Sequence, residues 1–316
     1  MDLCDVGLPG EFLRGQPAQT YHQGRDVRVH FRHEFPLGAV RAVGAVRVRS
    51  PGSGRQLQRP GLLIIGLGGS MDALFFELFS GLPRQGPGEA ASTLRALALV
   101  PGVGPGTRVL DIGCGTGAQT LVLAKGSAAH IVAVDNHAPF VDFLNREALR
   151  LGLTHRLEAR VADMGRLDFG DGSFEVIWSE GAIYNIGFEV GLRDWRRLLA
   201  DGGHIVVTEA CWRRPDPPGA CEAFWREEYP DMRDVPTLLQ AVDRCGYETV
   251  AHFPLPASAW WDDYYRPLQD NVTAFRKRYP GRRDAQELAD GIQREIDVWH
   301  AFSECYGYQF FVLRAH

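Results

Sequence analysis

The sequence predicts an α/β fold built on a mostly parallel, doubly wound β-sheet, and three observations support this prediction. Short apolar segments alternate with segments of helical periodicity over roughly residues 90–210. Such alternation is typical of a parallel sheet with helices on both faces. Acidic residues follow several of the predicted strands, and alternating glycines follow the first. Because ligands of such sheets bind at the carboxyl ends of the strands, these residues are expected to share one edge.

Seven strands are predicted from short apolar and β-branched runs. They cover residues 108–110, 131–134, 157–161, 174–178, 204–209, 248–253 and 308–313. Helical periodicity predicts helices over residues 75–79, 90–99, 119–124, 138–151, 189–200, 235–245 and 284–303. Residues 261–303 lie between the last two strands, and we expect them to form a helical insertion that covers the site as a lid.

Two parts of different character are predicted along the chain. Residues 1–70 lack a clear helical period and are interrupted by glycine, proline and arginine. The chain holds 32 arginines and only two lysines, which is typical of a GC-rich coding sequence, and translated upstream DNA would share that composition. We therefore expect residues 1–70 to be a poorly structured or mis-called extension, with the natural start near Met71. Residues 71–316 are expected to form one domain.

Composition and charge exclude several classes of protein. No apolar run reaches the roughly 18 residues of a membrane span, and no secretory leader is evident, so we expect a cytoplasmic protein without a membrane partner. The net charge is -5, and residues 71–316 hold 25 basic against 34 acidic residues, so nucleic acid is a disfavoured partner. The six cysteines and ten histidines show no metal-ligand spacing, so no metal is predicted.

The most informative motif is D-I-G-C-G-T-G at residues 111–117, directly after the first predicted strand. Alternating glycines let a ligand approach the backbone, because no Cβ blocks the way. Amides at the start of the next helix then face that ligand. A nicotinamide site is one interpretation, since Gly113, Gly115 and Ala118 also satisfy the dinucleotide pattern.

The same motif resembles the first motif of class I S-adenosylmethionine-dependent methyltransferases. Asp135 ends the second predicted strand, where a carboxylate can accept hydrogen bonds from both ribose hydroxyls of either ligand. Asp163 and Met164 follow the third strand, where methyltransferases present an acid to the adenine amino group and an apolar side chain to its ring. Dehydrogenases do not require that acid. Asp111 would help to position the amino-acid end of the methyl donor.

From residue 72 to its end the chain resembles small bacterial class I methyltransferases related to the type 11 methyltransferase domain. The resemblance rests on the glycine motif and on segments 75–79, 84–88, 178–188 and 260–265. It implies a Rossmann-like fold with an antiparallel last strand, S-adenosylmethionine as the cofactor and a small-molecule substrate of unspecified identity. The donor-binding residues that it implies are Gln85, Asp111, Gly113, Cys114, Gly115, Gly117, Gln119, Asp135, Asn136, Asp163, Met164 and Ser179. A homodimer is a further expectation.

Methyl transfer from a sulfonium is an in-line displacement, so holding the acceptor atom behind the methyl group is the first task of the protein. Where the acceptor carries a proton, a base must remove it, and Glu180 after the fourth strand is the candidate. Glu180 could instead orient the substrate or cap a helix. Tyr184 is a second catalytic candidate and Asn185 a substrate-binding one, although either could be an ordinary core or turn residue.

The aromatic segment 260–265 offers further substrate-binding candidates. Trp261 and Tyr265 could attract a cationic or aromatic substrate through their ring faces, although such clusters are more often plain packing. Arg84 and Gln85 precede a glycine-proline turn and could close over the methionine carboxylate of the donor. Two functions compete with methyl transfer: a nicotinamide-dependent oxidoreductase with a Rossmann domain, and a non-catalytic protein that binds S-adenosylmethionine.

Overall fold

A computed structural model of the chain describes residues 69–316, with side chains from residue 73 onward. Residues 1–68, which hold nearly all of the expected extension, lie outside the described residues. One sheet contains the strands β1 (Arg108–Ile112), β2 (His130–Asp135), β3 (Leu157–Val161), β4 (Phe174–Ser179), β5 (Leu199–Trp212), β6 (Arg233–Asp234), β7 (Tyr247–Pro254) and β8 (Tyr306–Ala315).

The strand order is β3-β2-β1-β4-β5-β8-β7, and the two-residue strand β6 pairs with the end of β5. Strands β1 to β5 run parallel, whereas β8 is antiparallel to both β5 and β7. This arrangement confirms the predicted doubly wound, mostly parallel sheet with an antiparallel last strand. Strand order reverses at β1, because β2 lies on one side of it and β4 on the other, and such a switch point forms a crevice for ligands.

Ten helices are present in the described part of the chain. They are α1 (Gly69–Leu78), α2 (Ala90–Ala98), α3 (Ala118–Gly126), α4 (Ala138–Arg150), α5 (Phe188–Arg196), α6 (Gly219–Glu228), α7 (Val235–Arg244), α8 (Ser258–Trp260), α9 (Arg266–Arg278) and α10 (Arg283–Phe302). A 3₁₀ turn spans Ile183–Asn185, and a π-helical turn over Trp261–Tyr265 joins α8 to α9. Within residues 69–316, no helix combines the length and the apolar composition that crossing a bilayer would require.

The core has two layers because the central strands are covered on both faces. Val176 and Trp178 of β4 belong to one apolar cluster, and Ile177 between them belongs to the other. Helices α5 and α7 contribute to the second cluster, while α1 to α4, α6 and α8 to α10 contribute to the first. Burial on both faces is the reason that these strands are continuous apolar runs in the sequence.

Two local predictions differ from the structure. Helix α5 ends at Arg196 and β5 begins at Leu199, so the helix predicted to residue 200 was too long. Strand β5 continues past Gly202, whose φ of 67° only glycine adopts readily, and the pairing of β4 with β5 shifts register between Leu199 and His204. Helix α6 was not predicted, although prolines precede it, Glu222 lies in its first turn and Arg226 in its last.

The chain between β7 and β8 is mostly helical from Ser258 to Phe302, with a short break between α9 and α10, and it overlaps the segment 261–303 expected to form an insertion. Helix α1 packs against α9 and α10 of this segment. The Asn271 Nδ2 donates to the carbonyl oxygens of Leu78, at 2.8 Å, and Ser80, at 3.1 Å. These bonds join the segment before β1 to the segment before β8, and both reach the carboxyl edge of the sheet.

Candidate active site

A cavity of about 580 Å³ lies at the carboxyl edge of the sheet, and its size is usual for a small-molecule site. We call one part of it the loop half, which is formed by the glycine motif and the residues that follow β2 and β3. The other part, the insertion half, is lined by Tyr184, Phe224, Trp225, Glu228, Tyr229, Trp260, Tyr264, Ile292, Glu295 and Tyr308. Because β2 and β5 lie on opposite sides of β1 and β4, the cavity extends across the switch in strand order.

The glycine motif leaves no room for side chains in the loop half. A Cβ on Gly113 would lie 2.4 Å from the Cβ of Ala182, and one on Gly115 would lie 2.6 Å from the Oε1 of Gln85. Both glycines have positive φ, 75° and 54°, so a larger residue would also strain the backbone. The loop therefore presents its main chain to the cavity at close range.

Asp135 holds the glycine loop in place from the end of β2. Its Oδ2 accepts a hydrogen bond from the Gly115 amide at 2.9 Å, and its Oδ1 accepts one from the His137 amide at 2.9 Å. Burial raises the pKa of Asp135, and the two amide bonds partly offset that rise. Each carboxylate oxygen retains a lone pair, so the side chain can also accept two hydroxyl donors from a ligand.

Gln85 closes the loop half from the opposite side. Its Oε1 accepts hydrogen bonds from the amide and the hydroxyl of Thr116, both at 2.9 Å. Its Nε2 is buried and has no hydrogen-bond partner among residues 73–316. Leaving a buried donor unbonded costs about 1–3 kcal/mol, so this amide favours a ligand acceptor at the cavity wall.

A buried ion pair joins Arg84 to Glu180 beside the loop. The Arg84 Nη2 lies 2.8 Å from the Glu180 Oε2. The Glu180 Oε1 accepts hydrogen bonds from the Thr93 hydroxyl at 2.7 Å and from the Trp178 indole at 2.9 Å. These three donors occupy both oxygens of the carboxylate, an arrangement that suits a structural role better than the expected role of Glu180 as a base. The geometry instead suits a group that fixes Arg84.

Most of the sequence-predicted site residues line this one cavity. They are Gln85, Gly113, Cys114, Gly115, Gln119, Asp135, Asn136, Asp163, Met164, Glu180, Tyr184 and Asn185. Cys114 is buried, and burial raises the pKa of its thiol, which agrees with a residue that simply fits the turn. Across residues 73–316, no group of histidine, cysteine and acidic side chains is arranged to hold a metal ion.

Three expected donor-binding residues lie behind the cavity wall rather than on it. Asp111 is fully buried and accepts hydrogen bonds from the Thr120 hydroxyl at 2.5 Å and the Gln119 amide at 3.2 Å. Burial raises its pKa to about 7. The Ser179 hydroxyl donates to the Ile112 carbonyl at 2.9 Å. Gly117 lies against helix α4, where a Cβ would meet Leu144 at 2.3 Å.

The two aromatic residues expected to bind substrate also lie outside the cavity. Trp261 stacks on Trp299, with ring centroids 5.7 Å apart, and Tyr265 is fully buried with its hydroxyl donating to the Glu295 Oε1 at 2.8 Å. The cavity is lined instead by Trp260 and Tyr264. Both pairs have the same i, i+4 spacing, so the sequence pattern could not distinguish the face that meets the cavity.

Sequence reasoning missed the acidic and aromatic residues that other elements bring to the insertion half. Glu228 lies at the end of the unpredicted helix α6, Glu295 lies on α10, and Tyr308 lies on β8. Recognition of α6 from its preceding prolines would have made Glu228 a candidate. Glu295 and Tyr308 carry no local signal, because their position in the site depends on the packing of the insertion.

Comparison with known sequences finds similarity to methyltransferases. A family model described as a methyltransferase domain matches residues 109–203. A phosphoethanolamine N-methyltransferase of Triticum aestivum is 29% identical over 210 residues, which cover 64% of this chain and 40% of that protein. Cycloartenol-C-24-methyltransferase 1 of Oryza sativa subsp. japonica is 30% identical over 214 residues, 62% of this chain and 60% of that protein. The chain thus spans less than two thirds of either relative.

Solved structures with the same fold include a methyltransferase and a cyclase. A methyltransferase from Geobacter sulfurreducens, in complex with S-adenosylhomocysteine, has a TM-score of 0.67 at 23% identity. The aligned region covers 77% of this chain and 98% of the Geobacter chain. The cyclase SpnF has a TM-score of 0.62 at 19% identity, with coverages of 78% and 93%. At these identities the likeness establishes the fold only.

The strand order is that of the class I S-adenosylmethionine-dependent methyltransferase fold, and residues 109–203 match the methyltransferase-domain family model. The matched segment begins in β1 and ends in β5, so it contains the parallel half of the sheet and the loop half of the cavity. The nicotinamide interpretation of the glycine motif has no support from these comparisons.

Proposed function

We propose that the chain binds S-adenosylmethionine in the loop half of the cavity and transfers its methyl group to a small molecule in the insertion half. The observation that carries this proposal is the continuity of one cavity from the glycine loop to the aromatic and acidic chamber under the insertion. A donor that lies across the loop can then reach an acceptor without leaving the cavity. The similar methyltransferase sequences support the same reaction.

The nucleoside end of the donor is proposed to bind at the ends of β2 and β3. Asp135 accepts the two ribose hydroxyls with the lone pairs that the backbone amides leave free. Asp163 is exposed at the cavity mouth, and its Oδ1 accepts from the Gly165 amide at 2.9 Å, which leaves Oδ2 for the adenine amino group. Met164 and Asn136 provide the neighbouring wall for the ring.

The methionine end is proposed to lie between the glycine loop and the Arg84–Gln85 turn. The free Nε2 of Gln85 and the guanidinium of Arg84 are donors for the carboxylate of the ligand. Asp111 acts through Gln119, because it fixes the Gln119 Nε2 and leaves the Oε1 to accept from the ligand ammonium. Gly117 and Ser179 support the loop and the end of β4 from behind.

Positioning supplies most of the catalysis in this proposal. The acceptor attacks the methyl carbon in line, the carbon–sulfur bond breaks, and its electron pair stays on sulfur to give S-adenosylhomocysteine. Burial raises the pKa of Tyr184, so its hydroxyl stays protonated and can orient an acceptor but not remove a proton. Asn185 adjoins it on the cavity wall.

Calorimetric titration with S-adenosylmethionine, S-adenosylhomocysteine and NAD tests the donor. The first two are expected to bind with micromolar affinity and NAD is expected not to bind. Incubation with labelled donor and a metabolite extract should then yield a labelled small molecule. Tight NAD binding would overturn the proposal, and donor binding without any labelled product would favour the non-catalytic alternative.

A further inference from the structure

The insertion half of the cavity combines one buried and one half-buried acid, Glu228 and Glu295, with aromatic rings. Glu228 comes from α6 and Glu295 from α10, so two independent helices bring carboxylates to the same chamber. Phenol and indole rings line the remaining wall: Tyr184, Tyr229, Trp260, Tyr264 and Tyr308. Tyr184 follows β4 and Tyr308 lies on β8, whereas the residues proposed to bind the nucleoside follow β2 and β3 on the other side of β1.

The two carboxylates face the chamber without a cationic partner there. Glu228 is 7% exposed, and its Oε2 has no hydrogen-bond partner in the described part of the chain. Glu295 accepts one hydrogen bond, from the Tyr265 hydroxyl at 2.8 Å. Burial raises the pKa of both groups, to about 7 for Glu228, where the charge of Glu295 contributes as well. A cation between them would offset both the burial and the mutual repulsion.

The rings are close enough to surround a small group. Ring centroids of Trp260 and Tyr308 are 4.8 Å apart, and those of Tyr184 lie 6.1 Å from Tyr229 and 6.5 Å from Tyr308. Aromatic faces carry partial negative charge and attract ammonium groups. The rings therefore favour the same charge as the carboxylates.

Positive charge is scarce around the cavity. Of the lining residues in the described chain, Arg84 alone is an arginine or lysine, and it pairs with Glu180 at 2.8 Å. A phosphate or carboxylate in the insertion half would thus meet two acids and no unpaired basic side chain. Charge complementarity excludes phosphorylated amines from the chamber.

We propose that the acceptor is a small amine without phosphate or carboxylate groups, bound as a cation between Glu228, Glu295 and the surrounding aromatic rings. This inference rests on the proposed function and names the substrate class of the same site. An amine that enters protonated gives a proton to the Glu228 carboxylate, which frees the nitrogen lone pair. That lone pair forms the bond to the methyl carbon as the carbon–sulfur bond breaks. The products are a methylated ammonium and neutral S-adenosylhomocysteine, so the positive charge passes from sulfur to nitrogen.

Choline is a suitable probe, because its trimethylammonium group resembles the methylated product and cannot be methylated further. Calorimetry is performed on the full chain with S-adenosylhomocysteine bound, using choline, phosphocholine and the neutral choline isostere with a tert-butyl group. Choline is expected to bind roughly tenfold more tightly than either of the others, which is the order of a desolvated cation–π contact. Equal binding of the neutral isostere, or no binding of choline, would overturn the inference.

Matched variants locate the effect. Glu228→Gln should weaken choline binding by roughly tenfold, and Glu295→Gln provides a second variant should the first not fold. Glu222→Gln removes an exposed carboxylate from the first turn of the same helix, where Glu222 pairs with Arg226, and should leave choline affinity unchanged. Unchanged affinity in both chamber variants contradicts the proposal. Affinity for S-adenosylhomocysteine is measured first, because its absence in the unaltered chain would defeat the proposed function rather than the inference about amines.

Discussion

At the scale of single residues, the cavity is lined by several buried polar residues with atoms that lack a hydrogen-bond partner within the described chain. Seven buried side-chain atoms in the described chain lack a partner, and those of Gln85, Trp225, Glu228 and Trp260 line the cavity. Buried polar groups in folded proteins are normally hydrogen-bonded. Four such residues around one cavity are therefore typical of a binding site, and each of their unbonded atoms is a candidate ligand contact.

Replacing Gln85 tests its proposed contact with the methionine end of the donor. Gln85→Ala removes both the oxygen that accepts from Thr116 and the unbonded Nε2 donor. The affinity for S-adenosylhomocysteine should therefore fall roughly tenfold. Calorimetric titration measures the change. Gln240→Ala, on the exposed surface of α7, is the matched control and should bind as the unaltered chain does. Equal affinity of the Gln85 variant would remove Gln85 from the donor site.

Asp111 should make stability depend on pH. Its pKa is raised from 3.8 to about 7 in the folded chain, so the folded state keeps a proton that the unfolded state releases. The free energy of unfolding is therefore highest at low pH and falls as pH rises towards the folded pKa, by about 3 kcal/mol between about pH 5 and about pH 8. Asp111→Asn lacks this ionisation and should gain about that much relative to the unaltered chain.

Urea unfolding at the two pH values measures the effect. The Asn side chain can still bond to both Gln119 and Thr120, so the variant should fold. Asp142→Asn, at an exposed position on α4, should follow the pH profile of the unaltered chain. If the free energy of unfolding of Asp111→Asn changed with pH in the same way as that of the unaltered chain, Asp111 would be ionised in the folded state over this whole pH range.

At the scale of elements, the cover of the cavity is assembled from segments far apart in sequence. Helix α1 packs against α9 and α10. Arg84 and Gln85, in the segment that follows α1, line the cavity. The Tyr279 hydroxyl donates to Glu77 at 2.6 Å and adds to the Asn271 contacts. Movement of α1 relative to the insertion would therefore alter the entrance to both halves of the cavity.

Asn271→Ala tests this coupling between elements. Loss of its two hydrogen bonds to the end of α1 should destabilise the chain by about 1 kcal/mol and increase hydrogen exchange of the α1 amides. Thr273→Ala on the same helix is exposed and bonds only within its own turn, to Gln269 at 3.0 Å, so it serves as the control. Unchanged exchange in α1 would mean that other contacts hold this helix in place.

Some elements of the fold could be predicted from the sequence and others could not. The parallel strands and the glycine loop follow from local patterns, since strand burial and loop geometry each demand particular residues. The start of β5 does not, because the glycines at 202–203 suggest a turn, whereas β5 pairs with β4 on both sides of them, at Leu199 and at His204, across a register shift. The acids of the insertion half depend on how α6 and α10 pack, and no spacing within either helix reveals it.

At the scale of the whole molecule, one cavity extends across the switch in strand order. In the proposed function, the glycine loop and the ends of β2 and β3 form the donor side, and the insertion half forms the acceptor side. Sheets of this class bind nucleotides at such switch points, so topology favours the donor side proposed here. The lining of the proposed acceptor side comes largely from α6, α8 and α10, and such variable elements allow one fold to host different functions.

A crystal structure of the chain with S-adenosylhomocysteine would show whether the donor binds across the glycine loop. We predict that both ribose hydroxyls lie within hydrogen-bond distance of the Asp135 carboxylate, and that the sulfur faces Tyr184 and the insertion half. A ligand bound elsewhere, or one whose sulfur is walled off from that chamber, would contradict it.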